Sequence, residues 1–202
     1  MQQNKRQIDS IVDFIFELGQ LKRERHVGWL LAGVRTPDSI AEHAWRSAQI
    51  AFLLAVLEGA DPYKSATMGI IHDNGEGRIG DHHKVSARYL DTGKAEQKAF
   101  TEQVQFLPEK VKNDFLNFFD QYEHRTTKEG IVVRDADWLE MAFEARELEE
   151  QGYHKAHNWI ENIEMAVETA SAKKILRQMK KKSFCDWWKN LKKMTYTRLS
   201  SF

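Results

Sequence analysis

Proline stands at only three of the 202 positions, 37, 62 and 108, and a helical pattern begins at each of them. Proline fixes φ and lacks a backbone donor, so it suits the first turn of a helix and breaks a helix interior. Between these points apolar residues recur at i, i+3, i+4 and i+7, interrupted by only eleven glycines. A chain punctuated in this way can form long helices and little else. The expected helices cover 7–20, from near Pro37 to Leu57, from Pro62 to about His72, 94–106, 108–124, 127–150, 154–182 and 184–196. Ile8, Ile11, Val12, Ile15 and Leu18 supply the periodic residues of the first. Ser39 and Glu42 form a capping box at the start of the second, and Asp61-Pro62 is a cap followed by a first-turn proline. Ile131-Val132-Val133 is the best β-branched run, yet it lies inside a helical pattern. The expectation is an all-α chain of about eight helices: one domain over 1–170, and a basic helical extension over 171–202 packed on it.

Length and composition suit a globular protein. With 42% hydrophobic and 30% charged residues, the chain can bury a core without disulfide or zinc staples. One cysteine, Cys185, permits no internal disulfide and no cysteine-based zinc site. No apolar run approaches the roughly 18 residues of a membrane span, and MQQNKRQIDS has no apolar signal core, so a cytoplasmic protein is expected. Thirty basic and thirty acidic residues cancel, but residues 171–202 hold ten Lys/Arg against one acid, Asp186. A tail of that charge docks on its own acidic body in the simplest reading. The alternative is contact with nucleic acid or an anionic membrane. Trp187-Trp188 fit packing better than a membrane face, because adjacent residues on a helix point different ways.

Three places concentrate metal-binding chemistry. His43 lies one turn into the second helix, His72 and Asp73 end the apolar third helix, and Asp137 sits among apolar neighbours in VVRDADWLEM. Burying a carboxylate is costly unless it is paired or bound to a cation. Two imidazoles and two carboxylates suit a divalent ion such as Mn, Co, Fe, Zn or Mg. Each residue also has a plainer reading: a hydrogen-bonded core histidine, a helix C-terminal motif, or an Asp137 paired with Arg134 or Arg146.

The order His43, His72-Asp73, Asp137 resembles the HD superfamily of metal-dependent phosphohydrolases, and the 5′-deoxynucleotidase-like branch in particular. The matching segments are LKRERHVGW at 21–29, SIAEHAWR at 39–46, HDNGEGRIGD at 72–81 and YEHRTTKEGIVVRDADWLEMAFEA at 122–145. The resemblance implies a single HD domain with His43, His72, Asp73 and Asp137 as ligands of one divalent ion. It implies Glu76 as the catalytic carboxylate, Asp81 as a substrate-positioning group near the sugar, and Trp29 as a wall of the nucleotide pocket. It further implies a nucleotide substrate, loss of the 5′-phosphate from deoxynucleoside monophosphates, and a homodimer. Lys22, Arg23, Arg25, His26, Arg78, Lys84 and Arg88 are the basic candidates for holding the phosphate, Arg25, Arg78 and Lys84 foremost. Where the branch commonly has an arginine, this chain has His26 and Gly28, and DHHKVSARYL departs from the branch's usual proline-containing loop. Two other functions remain open. One is an HD phosphohydrolase acting on a triphosphate, a cyclic nucleotide or a non-nucleotide phosphate. The other is a nucleic-acid-binding module with a vestigial metal site.

Overall fold

The computed structural model describes residues 2–189 and 191, and among these there is no strand, only an isolated antiparallel bridge between Arg25 and Ser39. The α-helices are α1 (Gln2–Leu18), α2 (Ile40–Glu58), α3 (Pro62–Ile71), α4 (Glu76–Ile79), α5 (Thr92–Val104), α6 (Glu109–His124), α7 (Lys128–Glu150), α8 (His157–Ala166) and α9 (Ala170–Met179). Short 3-10 turns at Val27–Ala32, Ser86–Arg88 and His154–Ala156 link them. Among the described residues no helix is long and apolar enough to cross a membrane.

Local chemistry sets the helix starts. The Ser39 hydroxyl accepts from the Glu42 N–H while the Glu42 carboxylate accepts from the Ser39 N–H, closing the expected capping box of α2. Asp61 caps α3 through the N–H groups of Tyr63 and Lys64, and Thr127 caps α7 through that of Gly130. The β-branched run 131–133 lies within α7, as its helical setting implied.

α2, α3 and α7 form the centre, joined by Leu54, Met68, Val132, Val133, Ala136 and Leu139 in one core cluster. A second cluster, Ile71, Phe100, Val104, Leu107 and Phe119, fixes α5 and α6. α2 and α3 approach closely at Gly69, where a Cβ would stand 3.0 Å from the Ala48 Cα. That approach brings the middle of α2 against the end of α3, where two candidate ligands reside.

Three expectations need correction. The pattern over 154–182 is split: α8 ends at Ala166, Val167 is extended, and α9 starts after Thr169. The break is held by Asp135 of α7, which accepts from the N–H groups of Glu168 and Thr169 at 2.9 and 2.7 Å. Residues 184–189 form turns rather than the expected helix, and the rest of 184–196 lies largely outside the described residues. Trp187 and Trp188 are 73% and 45% exposed, so neither is packed away. On α1 the seated residues are Ile11, Phe14 and Leu18, while Ile8, Val12, Ile15 and Phe16 face solvent. In α9, Ala172, Leu176 and Met179 are buried, Lys180 just beyond it pairs with Glu164, and Ser183 bonds Glu150.

Candidate metal centre

The four expected ligands come from three helical segments and meet at one point. His43 projects from α2, His72 and Asp73 from the C-terminal end of α3, and Asp137 from α7. The His43 Nε2 lies 3.3 Å from the His72 Nε2, 3.5 Å from an Asp73 oxygen and 3.3 Å from an Asp137 oxygen. The His72 Nε2 lies 3.1 and 3.9 Å from the same two oxygens. Nitrogen and oxygen ligands about 2.0–2.2 Å from a common ion stand roughly 2.8–3.6 Å from one another, so His43, His72 and Asp73 fit a shared cation, and Asp137 meets that spacing to His43 but stands wider, at 3.9 Å, from His72.

The far side of each imidazole decides what the near side offers. The His72 Nδ1 lies 2.8 Å from the Gly69 carbonyl, which can only accept, so Nδ1 carries the proton. The His43 Nδ1 lies 2.5 Å from the Glu140 carboxylate. With both Nδ1 protonated, both Nε2 atoms can turn lone pairs on the point where Asp73 and Asp137 place oxygens. Four electron-pair donors converging in a buried place call for a positive charge, and a divalent ion fits this donor set. Without a cation, protons take its part. Burial works against a charged His43, but Glu140, Asp137 and Asp73 outweigh it and raise its pKa well above the usual histidine value. His72 shifts the same way against its own burial, through Asp73 and Asp137. Burial also opposes ionisation of Asp137, yet His43, His72 and Arg134 hold its carboxyl below the ordinary range. Its outer oxygen accepts from the Tyr122 hydroxyl at 2.8 Å, and Arg134 supports that hydroxyl at 2.7 Å.

Glu76 opens α4, one turn beyond His72, and its Oε2 is buried without a partner. Burial first, then the charges of Asp73, Asp81 and Glu96, pushes its pKa well above the carboxylate range. Glu96 of α5 behaves alike and is raised to about 9, by burial and then by Asp73 and Glu123. α5 comes this near because residue 75 is glycine: a Cβ there would stand 2.8 Å from the Glu96 carbonyl oxygen. The region is thus acidic, and its main nearby cation, Arg134, is already engaged by Glu123 and Tyr122.

The remaining expected site residues divide. Asp81 lies beside the cluster, accepting from the Val27 N–H at 2.6 Å. It helps line a cavity of about 370 Å³ together with His26, Lys84, Trp138, Asn158 and Trp159. His26 connects the two places, its ring centroid 4.9 Å from that of His43. Trp29 is 1% exposed and does not line this cavity: it packs behind it, against His26 and Trp159. Arg78 is tied to Glu17 and Glu102 on the surface, and Arg25 bonds the Pro37 carbonyl beside Ser39 and Glu42, so the structure brings neither to the cluster. The histidines after Asp81 serve the loop: the His82 Nδ1 bonds the Gly80 carbonyl and the His83 Nδ1 accepts from the Ser86 N–H. The sequence reading missed Glu140, Glu96 and Tyr122, whereas Arg134, which it offered as a partner of Asp137, does stand 3.5 Å from an Asp137 oxygen. Glu140 had a visible signal, a carboxylate three residues beyond Asp137 on the same helix face.

A family model described as the HD domain matches residues 18–180. The 5′-deoxynucleotidase HDDC2 of Xenopus laevis is 30% identical over 142 residues, 70% of this chain and 70% of its own length. A conserved hypothetical protein from Pyrococcus furiosus superposes with a TM-score of 0.71 at 31% identity, over 84% of this chain and 99% of that one. The HD phosphohydrolase DatZ of cyanophage S-2L, solved with dA and one catalytic Zn2+ ion, shares the fold at a TM-score of 0.58 and 18% identity, over 83% of this chain and 96% of that one. With its paired His-Asp residues in place and the family model spanning all but the two ends, this chain belongs to the HD domain family.

Proposed function

We propose that the chain is a metal-dependent phosphomonoesterase that removes the 5′-phosphate from deoxynucleoside monophosphates, with His43, His72, Asp73 and Asp137 holding one divalent ion. The carrying observation is the convergence of both Nε2 atoms and two carboxylate oxygens at 3.1–3.9 Å, with both Nδ1 atoms engaged on their outer sides. The substrate class is supported by relatives named 5′-deoxynucleotidase in Xenopus laevis and Dictyostelium discoideum, 30% and 29% identical to this chain. The mixed nitrogen and oxygen donors admit Mn, Co, Fe, Zn or Mg, and availability selects among them.

When bound, such an ion offsets the phosphate dianion's charge and makes a water more acidic. The chain's residues do the rest. With the neighbouring acids that raise Glu76 offset by a bound cation, its unpartnered buried oxygen can accept the proton of the attacking water. As the P–O5′ bond breaks, Glu76 returns a proton to the departing 5′-oxygen. The cavity beyond His26 is of nucleoside size, with Trp138, Met141 and Trp159 as apolar walls and Asp81 at the sugar's expected position. Lys84 lines the same cavity and is our candidate for binding a phosphate oxygen. We assign the enzyme to the cytoplasm and to a homodimer, the latter supported by the exposed stripe Trp45, Leu53, Val56 and Leu57 on α2.

The test is a phosphate-release screen over deoxy- and ribonucleotides with five divalent metals. Deoxynucleoside monophosphates are the expected substrates, and Glu76→Gln lowers kcat at least about 100-fold. Turnover of triphosphates with monophosphates untouched rejects the substrate assignment.

A further inference from the structure

Beyond His43, the line of contacts continues outward to an ion network that is buried at Glu140 and partly exposed beyond it. Glu140 is 1% exposed and both its oxygens are used. One meets the His43 Nδ1 at 2.5 Å, and the other accepts from the Arg46 Nε at 2.7 Å. The same guanidinium donates to Glu144 and Glu147, each at 2.8 Å. The pattern repeats on the two helices. His43 and Arg46 are three residues apart on α2, and Asp137 and Glu140 are three apart on α7. A turn of helix therefore separates the inner layer, made of ligands, from an outer layer made of their support. The outer layer is rich in acid: oxygens of Asp38, Glu140 and Glu144 lie within 4.8 Å of one another, and Arg46 is the cation bonded to two of the three.

A carboxylate buried this deeply is hard to justify as glue between helices. A buried ion pair gives little net stability relative to apolar packing. What Glu140 supplies and an apolar residue could not is an acceptor for the His43 Nδ1–H. Glu140 receives the Arg46 Nε–H on one oxygen and faces the His43 Nδ1 with the other, so the imidazole is the donor of that contact. The Nε2 lone pair is then fixed toward His72, Asp73 and Asp137. His72 obtains the same orientation from a backbone carbonyl, which no side-chain substitution can remove. The adjustable support is therefore on the His43 side.

We propose that Glu140, held by Arg46, is a positioning residue that fixes the tautomer and orientation of His43 and thereby sets the affinity of the centre for its divalent ion. This rests on the metal reading above. Acting through His43, Glu140 touches neither the ion nor the substrate. Outer-shell acceptors of this kind change metal affinity by about 10–100-fold when removed.

The test measures the dissociation constant of Mn2+ and Zn2+ by competition with a chromogenic chelator on the full chain, with melting in EDTA as the measure of fold. Glu140→Gln keeps the shape but loses the charge and sets an amide N–H2 or a neutral carbonyl against Arg46 and His43. Its metal dissociation constant is expected to rise about 10–100-fold, with the substrate KM unchanged at saturating metal. Arg46→Met, at a side chain 28% exposed, is the second variant in case the first fails to fold, and a rise of several-fold is expected. Glu147→Gln removes an outer partner of Arg46 without touching Glu140 and should stay within about threefold of the parent. Asp135→Ala, which destabilises the fold off this network, should also leave the affinity unchanged. If Glu140→Gln and Arg46→Met melt lower yet bind metal as tightly as the parent, Glu140 is structural and the proposal is overturned. If the parent chain itself binds no divalent ion, the metal reading fails and takes this proposal with it.

Discussion

The sequence DAD at 135–137 places two buried aspartates two residues apart, and the structure gives them separate tasks. Asp135 accepts two backbone N–H groups, from Glu168 and Thr169, across the break between α8 and α9. Asp137 turns one oxygen to the imidazoles. Asp135→Ala leaves two N–H groups without their charged acceptor. Hydrogen bonds to a charged group contribute about 1.5–3 kcal/mol each; Asp135 itself is fully buried, but the Glu168 and Thr169 donors are partly exposed and regain water, so a loss of about 3 kcal/mol is expected. For a chain of this length each kcal/mol shifts Tm by roughly 2–4 °C, giving a fall of about 6–12 °C. Metal binding should survive. An ion at about 1,000 times its Kd adds about 4 kcal/mol of stability, so the rise in Tm on adding metal to EDTA-stripped protein reports site integrity. Asp135→Ala should keep that rise, and Asp137→Ala should lose most of it. Differential scanning fluorimetry with and without metal measures both. An Asp137→Ala variant with the full metal-induced rise, or an Asp135→Ala variant that melts like the parent, refutes the division of labour.

Further outcomes follow from the same contacts. His43 and His72, and the acids Glu76 and Glu96, all have folded-state pKa values above their unfolded ones. The folded, metal-free chain therefore binds more protons than the unfolded chain from about pH 4.5 upward, and its stability falls as pH rises from about 5 to 9. Urea midpoints in EDTA at three pH values check this, and a flat or rising trend contradicts it. Gly75→Ala forces a Cβ to 2.8 Å from the Glu96 carbonyl and displaces α5. A loss of about 1–3 kcal/mol by chemical denaturation is expected, and an unchanged midpoint argues against that close approach. If two copies meet through the exposed α2 stripe, Leu53→Glu should convert a dimer to a monomer in sedimentation. A parent chain that sediments as a monomer removes the dimer from the account.

What could be read beforehand was local. Ser39 with Glu42, Asp61 with Pro62, and Thr127 carry their capping chemistry within four residues, so those helix starts were visible in the sequence. The break at 167–169 was not, because the group that holds it open, Asp135, is 33 residues from Glu168. α1 offered two adjacent apolar stripes, and periodicity cannot say which one will find a neighbour. Ile11 and Phe14 did, beside Phe115 and Leu116, while Ile15 stayed exposed. The candidate ligands were marked by the HD pair and its resemblance to a family, and their convergence depends on Gly69 and Ala48 letting α2 and α3 touch. Glu96 gave no such mark: an acid in a lysine-bearing helix, TGKAEQKAF, looks solvated until α5 is laid against Gly75. Arg78 was a candidate for holding the phosphate, but Glu17 of α1 claims it.

Titration of the metal-stripped chain with a divalent ion in a calorimeter addresses the centre directly. One tight site per chain is expected, lost in His72→Ala and Asp137→Ala while both variants keep the helical content of the parent. Undiminished binding in both variants, or no binding by the parent with any of five divalent metals, contradicts the assignment.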